Sequence, residues 1–133
     1  MKAETPNILV TDDDTDFRET LCHLLAGRGY CTHEAGDGQE ALDILEAGHI
    51  HLVISDMHMP RLTGLELLRQ ARLLLPQLPF ILLSARPDPW LVEQAQQVQV
   101  YAVQPKPITR RLITTLVNDA LRSTYHWEDT PAD

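Results

Sequence analysis

The sequence lacks any apolar run long enough to cross a lipid bilayer. Its uninterrupted apolar stretches are short, as at residues 80–83, whereas a membrane-spanning helix needs about 20 such residues. The start of the chain, MKAETPNILV, has a single lysine and no long apolar segment after it, so it does not resemble a secretory signal peptide. These absences lead us to expect a cytoplasmic protein with no membrane-embedded part.

Basic residues are also scarce. The chain has 11 lysines and arginines against 19 aspartates and glutamates, which gives a formal net charge of −8. Proteins hold nucleic acids mainly through positive charge that faces the phosphates. We therefore expect no direct binding of nucleic acid by this chain, although a partner or a further domain could bind DNA.

Only two cysteines are present, Cys22 and Cys31. Their spacing matches no metal-binding motif. Since a free cysteine usually behaves as a small, buried apolar residue, we interpret both as reduced, buried thiols with no role as a metal ligand or nucleophile.

A regular alternation of two patterns fills the rest of the chain. It has 133 residues, of which 44% are apolar, enough for one domain with its own core. Four short apolar runs predict β-strands, at residues 7–11, 52–56, 79–83 and 100–103, and a more polar run at residues 30–35 predicts another. Each is followed by a segment with helical spacing, at residues 15–28, 37–48, 63–75, 90–97 and from 109 onward.

Two of the predicted helices carry clear start signals. Asp88 followed by Pro89 predicts an N-cap and a proline in the first turn. Asp37 with Glu40 three residues later resembles a capping box. These signals support the second and fourth helices independently of their apolar spacing.

The alternation predicts an α/β fold. Strands that are apolar along their whole length and separated by helices form parallel sheets covered on both faces, so we expect a single doubly wound sheet of five strands. Right-handed crossovers leave few topologies, but composition does not choose the strand order. The domain would fill residues 1–124, and residues 125–133, which begin with Tyr125, would fray as a flexible tail or the start of a linker.

Polar side chains follow four of the five predicted strands. They are Asp12, Asp13 and Asp14 after the first, Asp56 at the end of the third, Ser84 (followed by the apolar Ala85) after the fourth, and Lys106 after the fifth. Because α/β sheets bind ligands at the carboxyl ends of their strands, these groups should lie together.

Clustered carboxylates repel one another unless a cation joins them, and Mg²⁺ prefers a few carboxylates with waters and phosphate. A lysine offers a point charge to a phosphoryl oxygen, and a carboxylate can be the nucleophile in phosphoryl transfer.

Four sequence motifs resemble one known family. They are ILVTDD at the first strand, LVISDMHMPRLTG around the third, LLSA at the fourth and PKPI after the fifth. Their types and order resemble the receiver domain of response regulators, the phospho-acceptor module of two-component signalling, over about residues 7–121. The resemblance implies a flavodoxin-like (βα)5 fold with strand order 2-1-3-4-5.

The resemblance also implies a role for each matching residue. Asp56 would accept a phosphoryl group from a histidine kinase or a histidine phosphotransfer protein. Mg²⁺ would be held directly by Asp13, Asp56 and the backbone carbonyl of His58, and through a water by Asp12. Lys106 and Ser84, with the adjacent Ala85, would face the phosphoryl oxygens, and the bond between Lys106 and Pro107 would be cis.

Phosphorylation would then change the surface around helix 4, strand 5 and helix 5. A downstream protein target or a fused output domain would read that change, and no turnover of an independent substrate is expected. Many family members have Tyr or Phe where this chain has Val103, and Tyr101, two residues earlier, does not replace that ring by position. We also hypothesise that His58 and Arg86, two residues after Asp56 and Ser84, tune the lifetime of the phosphoryl group.

Other interpretations stay open. Asp12, Asp14 and Thr15 faintly resemble the first motif of haloacid-dehalogenase-type phosphatases, in which Asp12 would be the nucleophile. A flavin-binding protein of similar architecture is a second alternative, since fold does not fix function. The chain could also be the receiver segment of a longer regulator, or a docking module that works without phosphorylation.

Overall fold

The computed structural model of the protein describes residues 5–126. Ten elements alternate strictly between strand and helix along this part of the chain. They are β1 (Asn7–Thr11), α1 (Thr15–Gly27), β2 (Cys31–Ala35), α2 (Gly38–Ala47), β3 (Leu52–Asp56), α3 (Gly64–Leu74), β4 (Phe80–Ser84), α4 (Pro89–Gln97), β5 (Ala102–Pro105) and α5 (Arg110–Tyr125).

The five strands form one parallel sheet in the order β2-β1-β3-β4-β5. The predicted doubly wound fold and strand order are therefore confirmed. The largest shift from the sequence prediction is at β5, which starts two residues later than residue 100. The amide of Val100 donates to the carbonyl of Ala95 at the end of α4 (3.1 Å), so this residue finishes the turn after the helix and is not part of the strand.

Two apolar layers cover the two faces of the sheet. Within β3, Val53 packs with residues of α2, α3 and α4, whereas Leu52 and Ile54 pack with residues of α1 and α5. All five residues of β3 are buried. This double coverage explains why the strand lacks the alternation of polar and apolar residues that a half-exposed strand would show.

Side-chain caps start the helices. The predicted cap of α4 is confirmed, because the carboxylate of Asp88 accepts a hydrogen bond from the amide of Leu91 (2.8 Å). The capping box predicted for α2 is only half formed. Asp37 accepts from the amide of Glu40 (2.8 Å), but the carboxylate of Glu40 accepts from Gly36 (2.6 Å) and not from the cap residue. A reciprocal box forms instead at α3, between Thr63 and Glu66.

Two expectations about single residues were wrong. Cys22 is buried as expected, but Cys31 is exposed, since it opens β2 at the sheet edge, where only Ala35 is buried. Tyr125 does not begin a frayed tail, because it is the last residue of α5 and its hydroxyl donates to the carbonyl of His51 (2.7 Å). Residues 127–133 lie outside the described residues.

Among residues 5–126, no helix is both long and apolar enough to span a membrane.

Candidate functional site

The strand ends bring the predicted polar residues to one edge of the sheet. Asp12 directly follows β1, Asp56 ends β3, Ser84 ends β4, and Lys106 directly follows β5. The strands are in register at this edge, where Asp56 pairs with Leu83 and the amide of Lys106 donates to the carbonyl of Ser84 (2.9 Å). The sheet backbone therefore fixes the positions from which these side chains act.

Three carboxylates form an acidic pocket at this edge. One oxygen from each of Asp12, Asp13 and Asp56 lies within 4.8 Å of the others. Asp12 is 1% exposed and Asp56 is 7% exposed, whereas Asp13 is open to solvent. A group of hard oxygen donors with one open side is the kind of site that suits Mg²⁺, so the residues present fit the predicted metal.

Lys106 forms ion pairs with two of these carboxylates. Its Nζ lies 2.9 Å from Asp12 Oδ2 and 3.4 Å from Asp56 Oδ1, and 4.2 Å from the centre of the Phe17 ring. Burial lowers the pKa of Lys106, but the hydrogen bond and charge of Asp12, together with Asp56, outweigh burial and raise this pKa above its ordinary value. The lysine is therefore firmly protonated beside the acidic pocket.

The pKa of Asp56 is raised above its ordinary value. Burial is the largest cause, because it disfavours the charged carboxylate, and repulsion from Asp12 adds to the shift. The positive charge of Lys106 opposes it. The surroundings of Asp56 therefore disfavour its charged form, and pKa values shifted in this way are common among residues that react.

Ser84 lies at the same edge and is fully buried. Its Oγ accepts a hydrogen bond from the amide of Arg86 (3.1 Å), so the hydroxyl is tied to the loop that leads to α4. Ala85, Arg86 and His58 are exposed. The bond between Lys106 and Pro107 is cis, as predicted.

The position of Val103 agrees with the interpretation of the sequence. Its side chain is partly buried and packs against the layer formed with α2, α3 and α4. Tyr101 precedes β5 and is 38% exposed. Tyr101 therefore does not take the place of the Tyr or Phe that many family members have at the position of Val103.

Sequence reasoning missed three residues that shape the pocket. Arg18 donates from Nη1 to the carbonyl of Asp12 (2.7 Å) and from Nε to Glu34 (2.9 Å), so it holds the first acidic loop from behind. Gly64 has no room for a side chain, since a Cβ there would collide with the backbone carbonyl of Asp56. The third residue is Phe17, whose ring lies under the Lys106 ammonium. Gly64 is the last residue of the motif LVISDMHMPRLTG, whereas Phe17 and Arg18 gave no signal beyond their place in the first turn of α1.

Comparisons with known proteins agree with this geometry. The family model described as the response regulator receiver domain matches residues 8–118. The response regulator MprA of Mycobacterium ulcerans is 35% identical over 128 residues, which cover 95% of this chain and 54% of the relative. The sensor kinase CckA of Brucella abortus is 32% identical over 116 residues, which cover 86% of this chain and 12% of the relative.

A solved structure gives the same result. The signal receiver domain of an HD domain-containing protein from Pseudomonas fluorescens superposes with a TM-score of 0.87 at 29% identity, covering 92% of this chain and 99% of that one. The chain spans only 12% and 54% of the length of the two curated relatives above. The family model nevertheless matches most of this chain, residues 8–118, which shows that the chain belongs to the response regulator receiver domain family.

Proposed function

We propose that this receiver accepts a phosphoryl group on Asp56 from a phosphohistidine donor, a histidine kinase or a histidine phosphotransfer protein. The observation that carries the proposal is the position of the Lys106 ammonium, which lies between two buried carboxylates, Asp12 Oδ2 at 2.9 Å and Asp56 Oδ1 at 3.4 Å. An ion pair of this kind places a fixed positive charge beside a carboxylate that can act as the nucleophile.

In the proposed reaction, a carboxylate oxygen of Asp56 attacks the phosphorus in line with the leaving group. A P–O bond forms, the P–N bond of the donor breaks, and the imidazole leaves with that electron pair. Lys106 faces the phosphoryl oxygens and balances their charge. Ser84 provides one hydroxyl to the same oxygens once the loop after β4 moves inward.

We propose that Asp12, Asp13, Asp56 and the backbone carbonyl of His58 hold Mg²⁺, with Asp12 acting through a water. When bound, the ion would neutralise negative charge on the transferring group. The acidic pocket supports this assignment, because three carboxylate oxygens lie within 4.8 Å of one another and Lys106 forms ion pairs with only two of these side chains, Asp12 and Asp56.

The proposed output is a change in the surface around α4, β5 and α5. Phosphorylated Asp56 would carry roughly 1.5 to 2 negative charges, by analogy with other phosphorylated side chains, in place of the single charge of its carboxylate. Ser84 and the amide of Arg86 connect that charge to the loop before α4. We propose that the receiver ends with Tyr125, the last residue of α5, one residue later than the predicted residue 124, and that a tail or linker follows it. We also propose that a downstream target or a fused output domain reads the change.

The test is phosphorylation by acetyl phosphate with Mg²⁺, followed by intact mass. We expect the wild type to gain one phosphoryl group that hydroxylamine removes, and we expect no gain without Mg²⁺ or in Asp56→Asn. A gain that survives Asp56→Asn but is lost in Asp12→Asn would instead support the phosphatase-like reading. No gain from either acetyl phosphate or a panel of histidine kinases would favour a docking module and contradict the proposal.

A further inference from the structure

We propose that Phe17 is a positioning residue for Lys106 and that it acts through the face of its aromatic ring. The Lys106 Nζ lies 4.2 Å from the centre of this ring, a distance at which the negative face of the ring attracts a cation. The inference rests on the proposed function and concerns how Lys106 is held in place for it.

The fold gives this ring a fixed place. The amide of Phe17 donates to the N-cap carboxylate of Asp14 (3.2 Å), which anchors the first turn of α1 directly after the acidic loop. The ring is partly buried and packs against the apolar layer that includes Leu21 and Ile113. It also lines a groove of about 430 Å³ between α1 and the start of α5. The ring therefore contacts both the apolar layer and the Lys106 ammonium.

A ring face can hold an ammonium group in a way that carboxylates cannot. It attracts the positive charge without requiring a particular N–H direction, so it leaves the three N–H donors free for oxygen acceptors. During phosphoryl transfer the acceptors around Lys106 change, because Asp56 becomes a phosphoaspartate. The ring is unchanged by the reaction, and it can keep the ammonium at the pocket throughout.

The competing explanation is that Phe17 merely fills space in the apolar layer. Two substitutions separate these roles. Phe17→Leu keeps an apolar side chain in the layer but removes the ring face, whereas Phe17→Tyr retains the face. Leu24→Ala is the matched control, because Leu24 lies on the same helix and lines the same groove but is not part of the cation–ring pair.

The first measurement is the NMR shift of the Lys106 ε-methylene protons in the metal-free protein. A ring placed over the end of the side chain moves these signals upfield. We expect the upfield shift in the wild type, Phe17→Tyr and Leu24→Ala, and its loss in Phe17→Leu. Thermal unfolding of each variant reports separately on the packing of the layer.

The second measurement is the rate of phosphorylation by acetyl phosphate at saturating Mg²⁺. Since a cation–π contact of this type contributes roughly a threefold to tenfold effect, we expect Phe17→Leu to slow the reaction by about that factor. Phe17→Tyr and Leu24→Ala should stay within about twofold of the wild type.

The proposal is overturned if Phe17→Leu keeps either the upfield shift or the wild-type rate. It is also overturned if Phe17→Tyr or Leu24→Ala slows the reaction as much as Phe17→Leu does. Failure of the proposed function is distinguishable, because a wild type that gains no phosphoryl group would contradict the role of Asp56 while the NMR shift would still test the cation–ring contact.

Discussion

At the scale of single residues, the two cysteines differ sharply in environment. Cys22 is buried, and burial, with a smaller contribution from the charge of Glu34, raises its pKa to about 11. Cys31 is exposed at the edge strand β2. Thiolates, not thiols, react with disulfide reagents, so exposure favours reaction at Cys31, whereas burial and the raised pKa disfavour reaction at Cys22.

We therefore expect a disulfide reagent such as DTNB at pH 8 to label one thiol of the native protein quickly. The second thiol should react at least about a hundredfold more slowly, because its thiolate is rare at this pH and shielded by the fold. The measurement is the time course of absorbance, and unfolding in guanidinium should release both thiols at once. In Cys31→Ser the fast phase should vanish, and a fast phase of full amplitude in that variant would contradict the assignment.

The sequence identified the residues of the site that lie directly at strand ends. Asp12, Asp56, Ser84 and Lys106 could be placed together because parallel strands end at one edge. Phe17 could not be placed, because its contact with Lys106 joins residues distant in sequence and depends on how α1 turns after its cap. An aromatic residue at an apolar helix position looks the same in the sequence whether it faces the core or a cation.

At the scale of elements, one arginine joins three segments. The guanidinium of Arg72, near the end of α3, donates hydrogen bonds of 2.8–3.2 Å to five backbone carbonyls, those of Leu75, Pro76, Leu78, Val98 and Gln99. The first three lie between α3 and β4, and the last two lie between α4 and β5. Arg72 thus ties the C-terminal end of α4 to the end of α3.

We expect Arg72→Met to lower the free energy of unfolding by about 2–3 kcal/mol, because it leaves several partly buried carbonyls without their donor. Arg69→Met is the control, since Arg69 makes an exposed hydrogen bond to Gln94 (2.8 Å) on the same pair of helices, and it should change stability by less than about 0.5 kcal/mol. Urea denaturation of both variants provides the measurement. Equal decreases in the free energy of unfolding would show that the hydrogen bonds of Arg72 stabilise the fold no more than the exposed one of Arg69.

The sequence predicted all ten helices and strands, but it predicted their ends and their positions in the sheet less well. Four apolar runs and one more polar run, separated by helical patterns, predicted every strand. Three of the five residues of CTHEA are polar, which fits an edge strand. Cys31 was wrongly assigned to the core because it was judged by residue type alone. The start of β5 was also misplaced, because Val100 is as apolar as a strand residue but serves the turn after α4.

At the scale of the whole molecule, the acidic pocket lowers the stability of the folded state at neutral pH. The folded protein raises the pKa of Asp56, mainly through burial. The stabilising effect of protonated Asp56 is therefore fully present below its unfolded pKa of about 3.9. It is lost as the pH rises through the higher folded pKa, and above that pH the charged carboxylate is an electrostatic cost.

We expect Asp56→Asn to raise the melting temperature at pH 7 in the presence of a chelator, by a few degrees, as is typical for relief of about 1 kcal/mol in a domain of this size. The gain should shrink toward pH 3, where wild-type Asp56 is protonated. Asp13→Asn is the comparison, because Asp13 is exposed and should give a smaller gain. Thermal melts across this pH range would contradict the expectation if the mutant were less stable at pH 7.

The sheet separates two apolar layers, one with α1 and α5 and the other with α2, α3 and α4. Few side chains of one layer can reach the other, because the buried strands lie between them. Substitutions in one layer should then add to substitutions in the other with little coupling. Over evolutionary time, one face of such a molecule can change to fit a new partner while the opposite face keeps its packing, so a duplicated gene can diverge in its input and its output separately.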